Sequence, residues 1–143
     1  MNHLKVRTFR ACIPDEFMDK LRARIADTQW PETPLDDANW KYGTDKVWLK
    51  GLATYWQNEY QKSTFEDVLN RFPNFKVDVD GLDIHFLHLK GSSSKDRAII
   101  LTHGWPGSVL EFLDAAEKLA WPDRFGGKAE DGFDIVIPSL PGY

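Results

Sequence analysis

Two hydrophobic periods divide the chain near Phe75. Before that residue, apolar side chains recur every three or four positions, as in Phe17, Leu21 and Ile25, which is the spacing of one face of a helix. After it, apolar and polar residues alternate, which is the period of a strand with one buried face. The sequence therefore predicts a helical first part and a strand-rich second part.

Three helices are predicted in the first part. The first begins at Pro14–Glu16 and ends before Trp30–Pro31, because the residue that precedes a proline is pushed out of the helical region. The second runs from about Asp45 to Tyr60 and has a broad apolar and aromatic face. The spacing of Ser63 and Glu66 is that of a capping box, which predicts a third, short helix that ends before Pro73.

The second part is predicted to hold a hairpin and then a parallel unit. Apolar alternation continues on both sides of Asp80–Gly81, the dipeptide that type I′ turns prefer. Ala98–Thr102 and Phe133–Ile137 are short apolar runs, typical of strands covered on both faces. A helical pattern from Val109 to Ala120 lies between them, so these three segments predict a βαβ unit.

Candidate chemistry lies in the segment that joins the first apolar run to the following helix. His103–Ser108 has the sequence His-Gly-Trp-Pro-Gly-Ser and lies where a parallel strand ends, the edge at which α/β sheets bind ligands. Its glycines permit a sharp turn, and Ser108 and Glu111 have the spacing of a capping box. The backbone N–H groups of such a turn can stabilise an oxyanion. A simple connector, with His103 as a structural residue, fits the spacing equally well.

This segment resembles the oxyanion-hole loop of α/β-hydrolases, in the form carried by the microsomal-type epoxide hydrolases. Further motifs of that family occur in order along nearly the whole chain: Ile13–Pro14–Asp15, Trp30–Pro31, Trp40–Thr44, Phe72–Pro73, Asp80–Leu82 with His85–Phe86, and Pro138–Tyr143. The resemblance implies the N-terminal part of an α/β-hydrolase fold, incomplete as given, with a helical meander, a hairpin and the first parallel βαβ unit. It divides the chain into an N-terminal helical region at 1–74 and the truncated start of a catalytic domain at 75–143.

The resemblance also implies an activity. Epoxide hydrolases open an epoxide with water to a vicinal diol through an ester on an Asp, while lid tyrosines bind the ring oxygen. A His with an acidic partner then activates the water that hydrolyses the ester. The backbone N–H of Trp105 would be one donor of the oxyanion hole, and the Trp105–Pro106 peptide bond would be cis. The substrate would contact His103, Gly104, Trp105, Pro106 and Tyr143. The nucleophile and the lid would follow this sequence, so this chain alone is expected to be inactive.

Composition and charge limit the kinds of molecule that the protein is expected to bind. The net charge is −4 and basic residues are scattered, so neither nucleic acid nor an anionic membrane is expected as a partner. An N-terminal anchor like that of membrane-bound family members is not expected, so the resemblance is expected to be to the soluble ones. A single cysteine, Cys12, expected to be buried, allows no internal disulfide, which suits the cytoplasm. The expected partners are a small apolar epoxide and the remaining C-terminal part of the hydrolase.

No metal or other cofactor is expected. His85 and His88 are three positions apart on a predicted strand, so they point to opposite faces and cannot share an ion. Ser139 lacks a Gly-x-Ser-x-Gly elbow and is predicted to be a loop hydroxyl. Two other functions stay open, namely another α/β-hydrolase such as an esterase or peptidase, and an inactive fragment or binding module whose aromatic faces dock a partner.

Overall fold

The computed structural model of the chain describes residues 5–32, 40–93 and 95–142. These residues form two units. The first comprises the described residues up to Ala11 and from Asp67 onward, and it contains the sheet. The second comprises the described residues from Cys12 to Glu66 and is helical. The sequence boundary between residues 74 and 75 stays a prediction.

The second unit contains two of the predicted helices, α1 at Asp15–Ala26 and α2 at Lys46–Asn58. Asp45 caps α2, because its carboxylate accepts the Trp48 N–H at 2.8 Å. Both helices lie where the hydrophobic spacing predicts them. No helix among the described residues is long and apolar enough to cross a bilayer.

Burial in this unit differs from the sequence expectation at two places. Met18 is the buried residue of α1, whereas Phe17 remains 59% exposed, so the stripe through Phe17 is not the buried one. Cys12 is exposed, and the prediction of a buried thiol is wrong. The residues on either side of Cys12 are the covered ones, with Ala11 buried and Ile13 half-buried, as alternation along an extended segment requires.

A third helix, α3 at Lys62–Asn70, begins one residue before its predicted cap. Ser63 therefore lies inside the first turn, and the predicted capping box is wrong. Glu66 instead accepts the Ile13 N–H at 2.6 Å. The last residue of α3, Asn70, accepts the N–H of Ala11 and donates to its carbonyl, each at 2.8 Å. Long-range partners of this kind leave no period in the sequence.

Five strands form one mixed sheet in the order β1-β2-β3-β5-β4. They are β1 at Arg7–Phe9, β2 at Asn74–Val79, β3 at Leu82–Leu89, β4 at Ala98–Ile100 and β5 at Asp134–Pro138. Neighbours from β1 to β5 are antiparallel, and β4 pairs with β5 in parallel. The predicted hairpin and parallel pair are confirmed. β1 was not predicted, because three residues of mixed polarity carry no readable period.

The turn between β2 and β3 has the predicted type. Asp80 and Gly81 both have positive φ, at 52° and 83°, which a type I′ turn requires at its two central residues. Val79 and Leu82 are directly paired across the turn. This register fixes which side chains of β2 and β3 share a face of the sheet.

The core lies on the face of β3 that the apolar alternation did not indicate. Leu87 and Leu89 are fully buried and pair with the fully buried Ile137 and Ile135 of β5. The predicted inward face, which carries Leu82, Ile84 and Phe86, is half-buried or exposed. A short 3-10 turn at Val109–Phe112 leads into α4 at Leu113–Ala120, which packs on β3 and β5.

β4 is an edge strand and is not covered on both faces. Among the described residues it pairs only with β5, and Ile100 is 68% exposed. Strand geometry ends at Ile100 rather than at Thr102, although the Leu101 N–H still donates to Val136 O at 2.9 Å. The described residues do not supply the expected coverage, because an apolar run reveals a preference for burial but not which element supplies it.

Gly91 provides a stability test of this packing. A Cβ at Gly91 would lie 2.4 Å from Phe133 O and 3.0 Å from Asp134 N, both backbone atoms that cannot rotate away. We expect Gly91→Ala to lower the free energy of unfolding by about 1–3 kcal/mol, the usual range for overpacking. Gly51, in α2, has no atom within 4 Å of the position that a Cβ would take, so Gly51→Ala should instead stabilise by about 0.5–1 kcal/mol. Urea titration measures both, and an unchanged midpoint for Gly91→Ala would contradict the described packing.

Candidate active site

The loop after β4 forms a tight turn that displays Trp105. The Gly107 N–H donates to Gly104 O at 2.6 Å, and the Trp105–Pro106 peptide bond within the turn is cis. A cis proline at the third of four residues defines a type VI turn. The Trp105 side chain is 84% exposed, and its backbone N–H donates to no acceptor among the described residues. The turn therefore presents the unengaged Trp105 N–H at the carboxyl end of β4.

The residues after this turn fix where the next helical segment starts. Ser108 Oγ accepts the Leu110 N–H at 3.3 Å, so the serine caps the segment as expected. Glu111 does not complete the predicted box, because its carboxylate folds back over Gly107. A Cβ at Gly107 would lie 1.5 Å from Glu111 Oε1, so the carboxylate would have to move aside for any larger residue there.

His103 connects this loop to the loop that follows β5. Its side chain is buried, and its Nε2 accepts the Leu140 N–H at 3.2 Å. A backbone N–H can only donate, so Nε2 carries the lone pair and the proton of the neutral ring is on Nδ1. Nδ1 lies 3.5 Å from Gly104 O. The sequence allowed two roles for His103, in an active site or as a structural residue of a connector. In the structure His103 links the loop after β4 to the loop after β5.

A second histidine holds the same loop from the other side. Asn74 is buried and donates both amide hydrogens, to Leu69 O at 3.0 Å and to Phe72 O at 2.7 Å. Its Oδ1 must then accept from His85 Nε2, at 2.8 Å. His85 Nδ1, at 2.8 Å from Ser139 Oγ, is left to accept the serine hydroxyl. Ser139 is a loop hydroxyl, as predicted, but sequence reasoning missed that it joins a half-buried hydrogen-bond network.

The surroundings of His85 favour its neutral form. Burial, and then the positive charge of Lys76, lower the pKa of His85 below its ordinary value of 6.5. Lys76 is its direct partner across the hairpin. Asp83 lies two residues away on the same face, but its carboxylate is already paired with Arg7 and lies 3.4 Å from Lys76 Nζ. A neutral ring is the form that can accept the Ser139 hydroxyl at Nδ1.

The remaining candidates lie apart from these loops. His88 faces the opposite side of β3, with its Nε2 at 3.7 Å from Asp134 Oδ2. In the described part of the chain, no three His, Cys, Asp or Glu side chains are placed to hold a metal ion. Tyr143 lies outside the described residues. A cavity of about 290 Å³ adjoins His85 and Ser139, but it does not extend to Trp105.

Known proteins share this sequence and geometry. Residues 6–112 match the family model described as "Epoxide hydrolase N terminus". A protein of Stigmatella aurantiaca, provisionally named an epoxide hydrolase, is 42% identical over 96% of this chain and 31% of its own length. Epoxide hydrolase 1 of Sus scrofa is 34% identical over the same shares of the two chains.

Solved structures agree with these matches. The epoxide hydrolase of Aspergillus niger superposes with a TM-score of 0.81 at 32% identity, over 97% of this chain and 36% of that one. The juvenile hormone epoxide hydrolase of Bombyx mori superposes with a TM-score of 0.76 at 29% identity, over 99% of this chain and 33% of that one. The chain spans about a third of the length of each of these relatives.

The mixed sheet, the helix α4 packed on it and these superpositions define the N-terminal part of an α/β-hydrolase fold. Within that class the chain belongs to the epoxide hydrolase family, because the family model covers most of its length. The family resemblance predicted from the motifs is therefore confirmed.

The lowered pKa of His85 makes stability depend on pH. The unfolded chain binds this proton more readily than the folded one, so the contribution of neutral His85 is fully present above pH 6.5 and is lost as the pH falls towards the folded-state pKa. We expect the urea midpoint to drop between about pH 7.5 and pH 5.5, and His85→Gln to reduce that drop, since histidine titrates in this range. An identical pH dependence in His85→Gln would contradict a neutral, half-buried His85.

Proposed function

We propose that the complete protein is an epoxide hydrolase that converts a small apolar epoxide to a vicinal diol. The observation that carries the proposal is the unengaged Trp105 N–H, presented by a tight turn at the carboxyl end of β4. In this family fold, such a donor is suited to the negative oxygen that forms during ester hydrolysis. The proposal concerns the whole protein, of which this chain supplies the turn.

The proposed reaction has two steps. An Asp carboxylate outside this chain attacks one epoxide carbon, the C–O bond breaks, and the ring oxygen takes a proton from a lid tyrosine. Water, deprotonated by a histidine, then attacks the ester carbonyl. The Trp105 N–H stabilises the resulting oxyanion, which collapses and breaks the bond to the diol oxygen. That oxygen takes the proton from the histidine, and the proton of the new carboxyl group returns to the tyrosinate, so the diol leaves and the carboxylate is restored. This chain holds the oxyanion donor but not the nucleophile, so we propose that it is inactive alone.

We propose that the remaining C-terminal part of the protein pairs with the free edge of β4. Ile100 is exposed, and among the described residues nothing pairs with the outer side of β4. A strand joined to β5 by a right-handed crossover could pair in parallel with that edge. Its carboxyl end would then lie beside the Trp105 turn, where a strand-to-helix elbow could carry the nucleophile.

The substrate contacts proposed in this chain are the exposed Gly104, Trp105 and Pro106, together with Tyr143. His103 is buried, so we propose that it serves the substrate site through the turn that it holds. We further propose the division into an N-terminal helical region and the start of a catalytic domain. A role in removing reactive epoxides (detoxification) and a cytoplasmic location also belong to the proposal, the latter supported by the lone cysteine.

Isotope labelling of a single turnover tests the ester mechanism. With the complete protein in excess over epoxide in H₂¹⁸O, the first diol should be unlabelled, since its new oxygen comes from the enzyme carboxylate. Label in the first diol would show direct attack by water. Absence of epoxide turnover, with inactivation by a fluorophosphonate, would favour the rival esterase or peptidase with a serine nucleophile.

The role of the Trp105 N–H can be tested without changing the side chain. Replacing the residue by its α-hydroxy acid turns the amide into an ester and removes the donor. We expect ester hydrolysis to slow by about 10²–10³-fold, the usual effect of losing one oxyanion donor, while the rate of ester formation changes little. Trp105→Phe is the matched control, because it keeps the N–H and should keep the hydrolysis rate within about tenfold. Equal rates in the amide and ester forms would remove Trp105 from the oxyanion hole.

A further inference from the structure

The loop at residues 138–142 is held to the sheet by three hydrogen bonds to two histidines. The Ser139 N–H donates to the His85 carbonyl at 2.9 Å, and the Ser139 hydroxyl donates to His85 Nδ1 at 2.8 Å. The next residue, Leu140, donates its N–H to His103 Nε2 at 3.2 Å. His103 lies one residue before Gly104, where the turn that presents Trp105 begins, so the two strand-end loops are linked at one point.

The Asn74–His85–Ser139 series has the residue types of a nucleophile triad, but the backbone around it argues against that role. A serine nucleophile needs N–H donors nearby to stabilise the oxyanion that it creates. The Ser139 and Leu140 N–H groups are both engaged, and residue 141 is a proline without an N–H. The series therefore lacks oxyanion donors along this stretch, which leaves a mechanical role.

Asn74 makes that mechanical role possible, because it selects one tautomer of His85. Its amide is fixed by two carbonyls at the end of α3, so it can only accept from Nε2. The selected tautomer has its lone pair on Nδ1, aimed at Ser139. His103 must adopt the other tautomer to accept from Leu140. The 138–142 loop is thus hydrogen-bonded to two neutral histidines, His85 and His103, which have opposite tautomers.

We propose that His85, oriented by Asn74, is a positioning residue that acts through Ser139 and the Leu140–His103 contact to align the Trp105 N–H. This inference rests on the proposed function, since the alignment matters only if that N–H binds an oxyanion. Loss of the His85–Ser139 bond would let the 138–142 loop shift and loosen its hold on His103. A displacement of about 1 Å at a reacting centre can slow a reaction by about 10²-fold.

The tautomers can be measured independently of catalysis. Long-range ¹H–¹⁵N correlation spectra of the histidine-labelled complete protein, assigned with single variants, report which ring nitrogen carries the proton. We expect the Nε2–H form for His85 and the Nδ1–H form for His103. Ser139→Ala should leave the His85 tautomer in place and speed hydrogen exchange at the Leu140 N–H. The same tautomer in both rings, or unchanged exchange, would overturn the proposal whatever the enzyme's activity.

Kinetics of the complete enzyme test the positioning role with two matched variants. His85→Asn keeps an acceptor near the Nδ1 position for Ser139, whereas His85→Gln keeps only a donor near the Nε2 position for Asn74. We expect ester hydrolysis to slow by about tenfold in His85→Gln and Ser139→Ala, with ester formation and KM nearly unchanged, and to recover substantially in His85→Asn.

The control for these variants is His88→Gln, on the opposite face of the same strand, which should match the wild type. Equal losses in His85→Asn and His85→Gln would indicate that bulk rather than the Ser139 bond matters, and would overturn the proposal. So would equal slowing of both chemical steps. A wild-type enzyme without epoxide turnover would reject the proposed function. The tautomer measurement would still decide whether His85 and His103 hold the 138–142 loop as proposed.

Discussion

The parallel pairing of β4 with β5 is the constraint on which the rest of the site depends. Parallel strands end at the same edge of a sheet, so this pairing brings the loop after Leu101 and the loop after Pro138 together. All chemistry proposed for the chain lies in those two loops. The buried pairs between β3 and β5 anchor these strands in the core, since Leu87 and Leu89 pair with two isoleucines without solvent exposure.

Hydrogen bonds between polar side chains orient the loops that the apolar core only places. Apolar packing fixes the strands but not the direction of a loop amide, because it has no orientation preference. Hydrogen bonds to His85 and His103 supply that direction, and the two that reach a ring nitrogen each depend on a defined proton position in that ring. Such a partly buried network specifies one arrangement only while every member has its partner. Here Asn74 provides the fixed end, because its amide hydrogens are both bound to carbonyls.

Short-range sequence patterns predicted the features of this structure that depend on neighbouring residues. The type I′ turn at Asp80–Gly81, the helices α1 and α2, and the parallel pair were all readable from period and turn chemistry. The buried face of β3 was not, because strand alternation shows two faces and the choice between them depends on β5 and α4. The Ser63–Glu66 box failed for a similar reason, since a distant N–H at Ile13 takes the glutamate.

The candidate site divides in the same way. The motif around Trp105 identified the turn and its cis bond, but the His85–Ser139 contact joins residues 54 positions apart and has no local signature. The most direct test is a crystal structure of the complete protein with its ester intermediate trapped. The account predicts the ester carbonyl oxygen at about 2.7–3.1 Å from the Trp105 nitrogen. An intermediate whose carbonyl points away from Trp105 would contradict it.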